Sequence, residues 1–152
     1  MSKNILLARP HPFIVAEMKP FLEENGYLII KLDAMANLPV MASKAGGAII
    51  SLALSSSLPE SAETVFQQLR QTAPGVPVVF ASMLTFDQAR PGMERLASQC
   101  GIKATLVGID SEASASSHLR RAEAFLYFSK NDLAAPTRRA IAARMLKRHF
   151  NQ

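Results

Sequence analysis

The stretch Leu69-Arg-Gln-Thr-Ala-Pro-Gly-Val-Pro-Val-Val-Phe-Ala-Ser82 decides the fold. It runs from the last turn of a helical pattern, through the break Pro74-Gly75, into a short run that is apolar on both faces, Val76–Ser82. A strand with one wet face alternates apolar and polar residues, whereas a strand covered on both faces reads as a continuous apolar run. The same unit repeats outward in both directions. Asn4–Ala8, Tyr27–Leu32 and Ala48–Leu54 read as strands before it, and Ala104–Ile109 as a strand after it.

Segments of helical period lie between these runs. Phe13–Asn25 sets Ile14, Met18, Phe21 and Leu22 on one face, and Glu60–Thr72 does so with Ala62, Val65, Phe66 and Leu69. Asp87–Cys100 gathers Met93, Leu96, Ala97 and Cys100, and Leu38–Lys44 is a shorter helix. Gly26, Gly46-Gly47, Pro74-Gly75 and Gly101 stand at the helix-to-strand junctions, where a left-handed capping residue is expected. Pro20 is expected to kink the first helix or to mark where its regular part begins. Five strand–helix units in series predict an α/β fold, a doubly wound five-stranded parallel sheet of flavodoxin-like type with helices on both faces.

Beyond the fifth strand, Ser114–Ser129 reads as a helix with Leu119, Ala122, Phe125 and Leu126 inward. A break at Lys130–Pro136 precedes a last helix, Thr137–His149, with Ile141, Ala142, Met145 and Leu146 on one side and Arg144, Lys147 and Arg148 on the other. The expected organisation is an α/β domain over residues 1–130 and an appended basic amphipathic helix over residues 131–152. Residues 1–117 hold nine Lys/Arg and ten Asp/Glu, whereas residues 118–152 hold eight and two, so the net charge of +5 belongs to the tail. Arg138, Arg139, Arg144, Lys147 and Arg148 are therefore the candidate partner-binding residues. A protein partner is the first expectation, with a homodimer, nucleic acid or a membrane surface as the alternatives. The roughly 22 residues after Lys130 are too few for a helix-turn-helix output domain.

At 152 residues, 49% hydrophobic and 19% charged, the chain has the make-up of one soluble globular domain. No apolar run approaches the roughly 20 residues of a membrane span. The single Cys100 permits neither an internal disulfide nor a metal-ligand spacing, which suits a reducing, cytoplasmic setting. No Gly-x-Ser-x-Gly, Gly-x-Gly-x-x-Gly or Gly-Lys-Ser/Thr motif occurs, which leaves out a nucleophile elbow and a phosphate-cradling loop. His11, His118 and His149 are scattered along the chain with no evident orienting acid.

The opening Asn4-Ile-Leu-Leu-Ala-Arg-Pro-His-Pro-Phe-Ile14, the helix end Phe21-Leu-Glu-Glu-Asn-Gly-Tyr27 and the stretch 69–82 together resemble a bacterial response-regulator receiver domain. The resemblance spans residues 3–128 and is one of pattern and spacing. It implies a receiver-like fold with two acidic residues after the first strand that, with a phosphoacceptor Asp ending the third, hold Mg²⁺. Those acidic positions fall on Arg9 and Pro10, and the phosphoacceptor position falls on Ser51. The switch hydroxyl falls on Ser82, the one match, and the invariant Lys with its following Pro on about Gly108 and Ile109.

Chemistry sharpens that contrast. Mg²⁺ takes oxygen ligands in near-octahedral geometry, usually with carboxylates among them. An acyl phosphate needs a carboxylate nucleophile, which Ser51 cannot supply. Arg9 is accordingly expected to fill the space of the metal and to bond to Ser51 or to strand-end carbonyls. The resulting expectation is a phosphorylation-independent pseudo-receiver acting through protein–protein contact, with no catalytic residue, no metal and no cofactor. The alternative is a doubly wound domain binding a small molecule, cobalamin- or nucleotide-like, at the C-terminal edge of the sheet. His11 within Arg9-Pro-His-Pro-Phe-Ile14 faintly resembles the Asp-x-His-x-x-Gly motif of cobalamin-binding domains, with Arg9 and Ile14 in place of its Asp and Gly.

Overall fold

The computed structural model describes residues 3–9, 12–52, 60–111, 119 and 123–150. Among these residues six strands form one sheet: β1 (Lys3–Arg9), β2 (Tyr27–Lys31), β3 (Gly47–Ser51), β4 (Val78–Ser82), β5 (Thr105–Val107) and β6 (Ala124–Ser129). Their order is β2-β1-β3-β4-β6-β5, and every pairing is parallel. The expected five-stranded sheet is thus corrected to six. The second half of the segment read as a helix is the strand β6, and it lies between β4 and β5. All six residues of β6 are buried. A strand covered on both faces has no period of two, and so carries no pattern that separates it from a buried helix. Residues 114–118 and 120–122 of that expected helix, Ala122 among them, lie outside the described residues.

The helices are α1 (Pro12–Glu24), α2 (Leu38–Ser43), α3 (Ala62–Thr72), α4 (Phe86–Gln99), α5 (Lys130–Ala134) and α6 (Pro136–His149). The period-two alternation of the strands divides the core into two halves. Ile5, Leu7, Ile49, Val79, Leu126 and Phe128 join Met18, Phe21 and Leu22 of α1 and Ala142, Met145 and Leu146 of α6. Leu6, Ala8, Ile50, Phe80, Phe125 and Tyr127 face α2, α3 and α4. The side chain of Ile14 lies outside the described residues. Pro20 sits inside α1, which runs unbroken from Pro12, and it is exposed. The carbonyl left without a partner there can bond to water, so the helix survives the missing N–H.

Residues 131–150, expected as an appended extension, are a layer of this core. Phe150 is fully buried, its ring meets Tyr27 edge-on at 5.7 Å, and Lys3 donates from Nζ to its carbonyl. Gly47 is small because of this contact: a Cβ there would come within 2.5 Å of the Phe150 ring. Gly26 and Gly101 take the left-handed conformation expected of them, with φ of 88° and 72°.

Candidate functional site

The C-terminal ends of β1, β3, β4 and β6 converge on one edge of the sheet, where ligands of doubly wound folds bind. β1 shifts register against β3 between Leu7 and Arg9, a bulge of the kind that re-aims a side chain beside a site. Arg9 is 4% exposed. Its Nη1 donates to the carbonyl of Ser51 at 2.9 Å, and its Nε to the carbonyl of Glu60 at 3.0 Å. The expected contact with a strand-end carbonyl is present. One guanidinium thereby ties the end of β1 to the end of β3 and to the residue before the Ser61 cap of α3. Burial lowers the Arg9 pKa from its usual value, yet a guanidinium starts so high that it stays charged at neutral pH.

Ser51 is fully buried at the end of β3. Ser82, ending β4, is 4% exposed and belongs to a closed ring of three hydrogen bonds. The Leu84 N–H donates to Ser82 Oγ at 3.1 Å, and the Tyr127 hydroxyl donates to the Leu84 carbonyl at 2.5 Å. Tyr127 has one proton and it is committed, so in the 2.6 Å contact between the two hydroxyls Ser82 is the donor. Burial pushes the Tyr127 pKa up to about 12; the Ser82 hydrogen bond opposes that rise and the Asp132 charge adds to it. The ring fixes the exit of β4 into α4. Tyr127 was missed in the sequence because it fell within the expected helix.

Gly108 does not lie at the strand beside β4. β6 holds that place, with Ser82 in register with Ser129, and β5 pairs only with β6. The residue after β6 is Lys130, which begins α5. Gly108 instead packs under Phe86, whose ring would stand 2.8 Å from an added Cβ. Pro10 and His11 lie outside the described residues.

Two of the five basic residues expected to bind a partner, Arg138 and Arg139, make ion pairs with acidic side chains of this chain. Arg138 bonds to the buried Asp132 at 2.8–2.9 Å and to the exposed Asp110 at 3.2 Å, and those bonds raise its pKa. Asp132 in turn caps α5, accepting from Ser129 N–H at 2.8 Å while Ser129 Oγ accepts from Asp132 N–H at 3.2 Å. Arg139 bonds to Glu24 at 2.8 Å and to the Leu133 carbonyl at 2.6 Å, and stacks over Phe21. Both arginines thus contact residues of other elements of the fold. Arg144, Lys147 and Arg148 are exposed.

Two clefts flank the edge. One of about 570 Å³ opens between Phe86, Asp110, Asp132 and Arg138, and one of about 420 Å³ between Arg9, Ser61, Leu84 and Arg95. Among the described residues no group of three or more His, Cys, Asp or Glu could hold a metal ion, and no helix is long and apolar enough to cross a membrane.

Neither a family model nor a curated protein sequence matches the chain. Solved structures do. The receiver domain of the sensor histidine kinase PA1611 from Pseudomonas aeruginosa PAO1, crystallised with magnesium in its active-site cleft, superposes over 100% of both chains with a TM-score of 0.61 and 15% identity. The signal receiver domain of a Luxo repressor protein from Vibrio parahaemolyticus matches 98% of this chain and 93% of its own, with a TM-score of 0.52 and 18% identity. NtrX from Brucella abortus matches 97% of this chain with 28% of its own length, a TM-score of 0.52 and 16% identity. At such identities the likeness establishes architecture alone. The chain has a receiver-like α/β fold, built among the described residues on a six-stranded sheet.

Proposed function

We propose that this chain is a signalling module of receiver fold that works through protein–protein contact without phosphoryl transfer, and that it is not an enzyme. The observation that carries this reading is the Arg9 guanidinium bonded to the Ser51 and Glu60 carbonyls. A receiver gathers carboxylates at that edge to hold Mg²⁺. Here the two acidic positions carry Arg9 and Pro10, and the acceptor position carries Ser51. A divalent ion about 4 Å from the guanidinium would meet a repulsion on the order of 8 kcal/mol at an effective dielectric constant of about 20. No carboxylate at those positions offsets it.

One position keeps the receiver's residue type, Ser82. Its setting supports a fixed conformation. The Ser82 hydroxyl is already engaged by Tyr127 and Leu84, an arrangement satisfied without a phosphoryl oxygen. The test is incubation of the full chain with acetyl phosphate and Mg²⁺, followed by intact mass measurement, beside a competent receiver as control. The expected result is an unchanged mass. A mass increase of one phosphoryl group, lost on substitution of Ser51 or any other residue of that edge, overturns the reading.

A further inference from the structure

We infer that the cleft of about 420 Å³ between the start of α3 and the flank of α4 binds a small organic acid, an apolar body bearing one carboxylate. The cleft is there whether or not phosphoryl transfer occurs at the strand ends. Its volume falls within the range of small-molecule pockets, about 300–1,000 Å³. Arg9 at the end of β1 and Leu52 just past β3 line it, so it opens at the sheet edge where doubly wound folds take their ligands.

Gly92 is the telling residue. It lies in the interior of α4, and on a helix surface a residue neighbours those three and four positions away. For Gly92 these are Gln88, Ala89, Arg95 and Leu96, and all four line the cleft with it. Gly92 is therefore the centre of the wall that α4 presents. Glycine is among the least favourable residues in a helix interior. Nothing in the chain calls for it here: Gly92 is exposed, its φ is not left-handed, and no described atom stands within 4 Å of an added Cβ. Gly47 and Gly108 differ, since a Cβ at either would strike a phenylalanine ring. A glycine without a partner to make room for suits close approach of a ligand to the backbone. Leu84, on the same cleft, is 47% exposed and offers that ligand an apolar contact.

The charged lining selects the sign. Arg9 and Arg95 stand against the single acid Glu63, a surplus of one positive charge. Arg9 is held by strand-end carbonyls and adds its field. Arg95 is exposed and one turn beyond Gly92, within reach of a carboxylate whose body lies over the glycine, and its guanidinium matches a carboxylate in bidentate fashion. One carboxylate balances the surplus. A phosphate monoester, with about −1.5 to −2 charges, exceeds it and meets Glu63. An amine meets two arginines.

The test is calorimetric titration of the full chain with hexanoate, beside 1-hexanol, hexylammonium and inorganic phosphate. Wild type is compared with Gly92→Leu, Arg95→Gln and the control Lys103→Gln, an exposed lysine outside the cleft. The expected result is binding of hexanoate that Gly92→Leu and Arg95→Gln each weaken about fivefold or more and the control by less than about twofold, with the other three probes weaker than hexanoate. Gly92→Ala supplies a second comparison and serves in place of Gly92→Leu should that variant fail to fold. It should raise the melting temperature by about 2–4 °C, as alanine is the better helix former, while weakening hexanoate binding. A glycine kept for the fold alone would not give both. Absence of hexanoate binding to wild type, a smaller loss in either cleft variant, or binding of 1-hexanol, hexylammonium or phosphate as tight as that of hexanoate would overturn the inference.

Discussion

Replacing Phe150 by Ala is the sharpest probe of how the C-terminal segment belongs to the fold. The ring is fully buried, sits over Gly47 and meets Tyr27 edge-on. A fully buried aromatic side chain removes about 150 Å² or more from water, worth on the order of 4 kcal/mol at about 25 cal/mol per Å². Loss of the aromatic pair adds up to about 1 kcal/mol, and incomplete collapse of the site adds a cavity cost. The expected destabilisation is therefore about 3–5 kcal/mol, a large share of the roughly 5–15 kcal/mol by which a domain is stable. Urea denaturation followed by circular dichroism measures it, and the melting temperature should fall by roughly 8–15 °C. A loss below about 1 kcal/mol would refute the packing argument and restore residues 131–152 to a separable extension. The same reasoning says that deleting residues 131–152 unfolds the domain, so a binding study with the truncated chain would not isolate the role of α6.

Two further outcomes follow from groups whose ionisation burial disfavours. His149 is buried and bonded to the Val78 carbonyl, with its pKa lowered by burial to about 4 from the usual 6.5. Between those values the unfolded chain binds a proton that the folded chain refuses, so stability is flat above pH ~6.5 and declines as pH falls toward 4, by at most about 3 kcal/mol. Denaturation midpoints measured across that range in wild type and His149→Phe check this, and an equal slope in both would contradict it. The chain has two tyrosines, Tyr27 and Tyr127, and burial raises both to about 12. A spectrophotometric titration should show almost no tyrosinate at pH 10, where an ordinary tyrosine is half ionised; half-ionisation of either ring there would contradict the burial described.

Much of the sheet was legible from apolar runs alone. β1 through β5 and α1 through α4 begin and end within a few residues of the expected bounds, because each is a short apolar run or a helical stripe, most of them set off by Gly or Pro. β6 was not legible in this way. Leu119, Ala122, Phe125 and Leu126 happen to fall at helical spacing, and the strand is buried on both faces. The available cue was local chemistry: Phe-Leu-Tyr-Phe favours a strand, and Ser129 three residues before Asp132 marks the start of a new helix. Misplacing β6 also hid Tyr127 from the site. Arg9 was legible as a residue type in the wrong place for a metal. Its bond to Glu60 was not, because residue 60 reaches that edge only through the tertiary fold.

The central claim concerns one guanidinium at the meeting of β1 and β3. A crystal structure grown with Mg²⁺ and beryllofluoride, a mimic of the aspartyl phosphate, tests it most directly. The account predicts Arg9 Nη1 within hydrogen-bonding distance of the Ser51 carbonyl, and neither metal nor fluoride at the strand ends. An ordered Mg²⁺ at that edge, with Arg9 swung out into solvent, would contradict it.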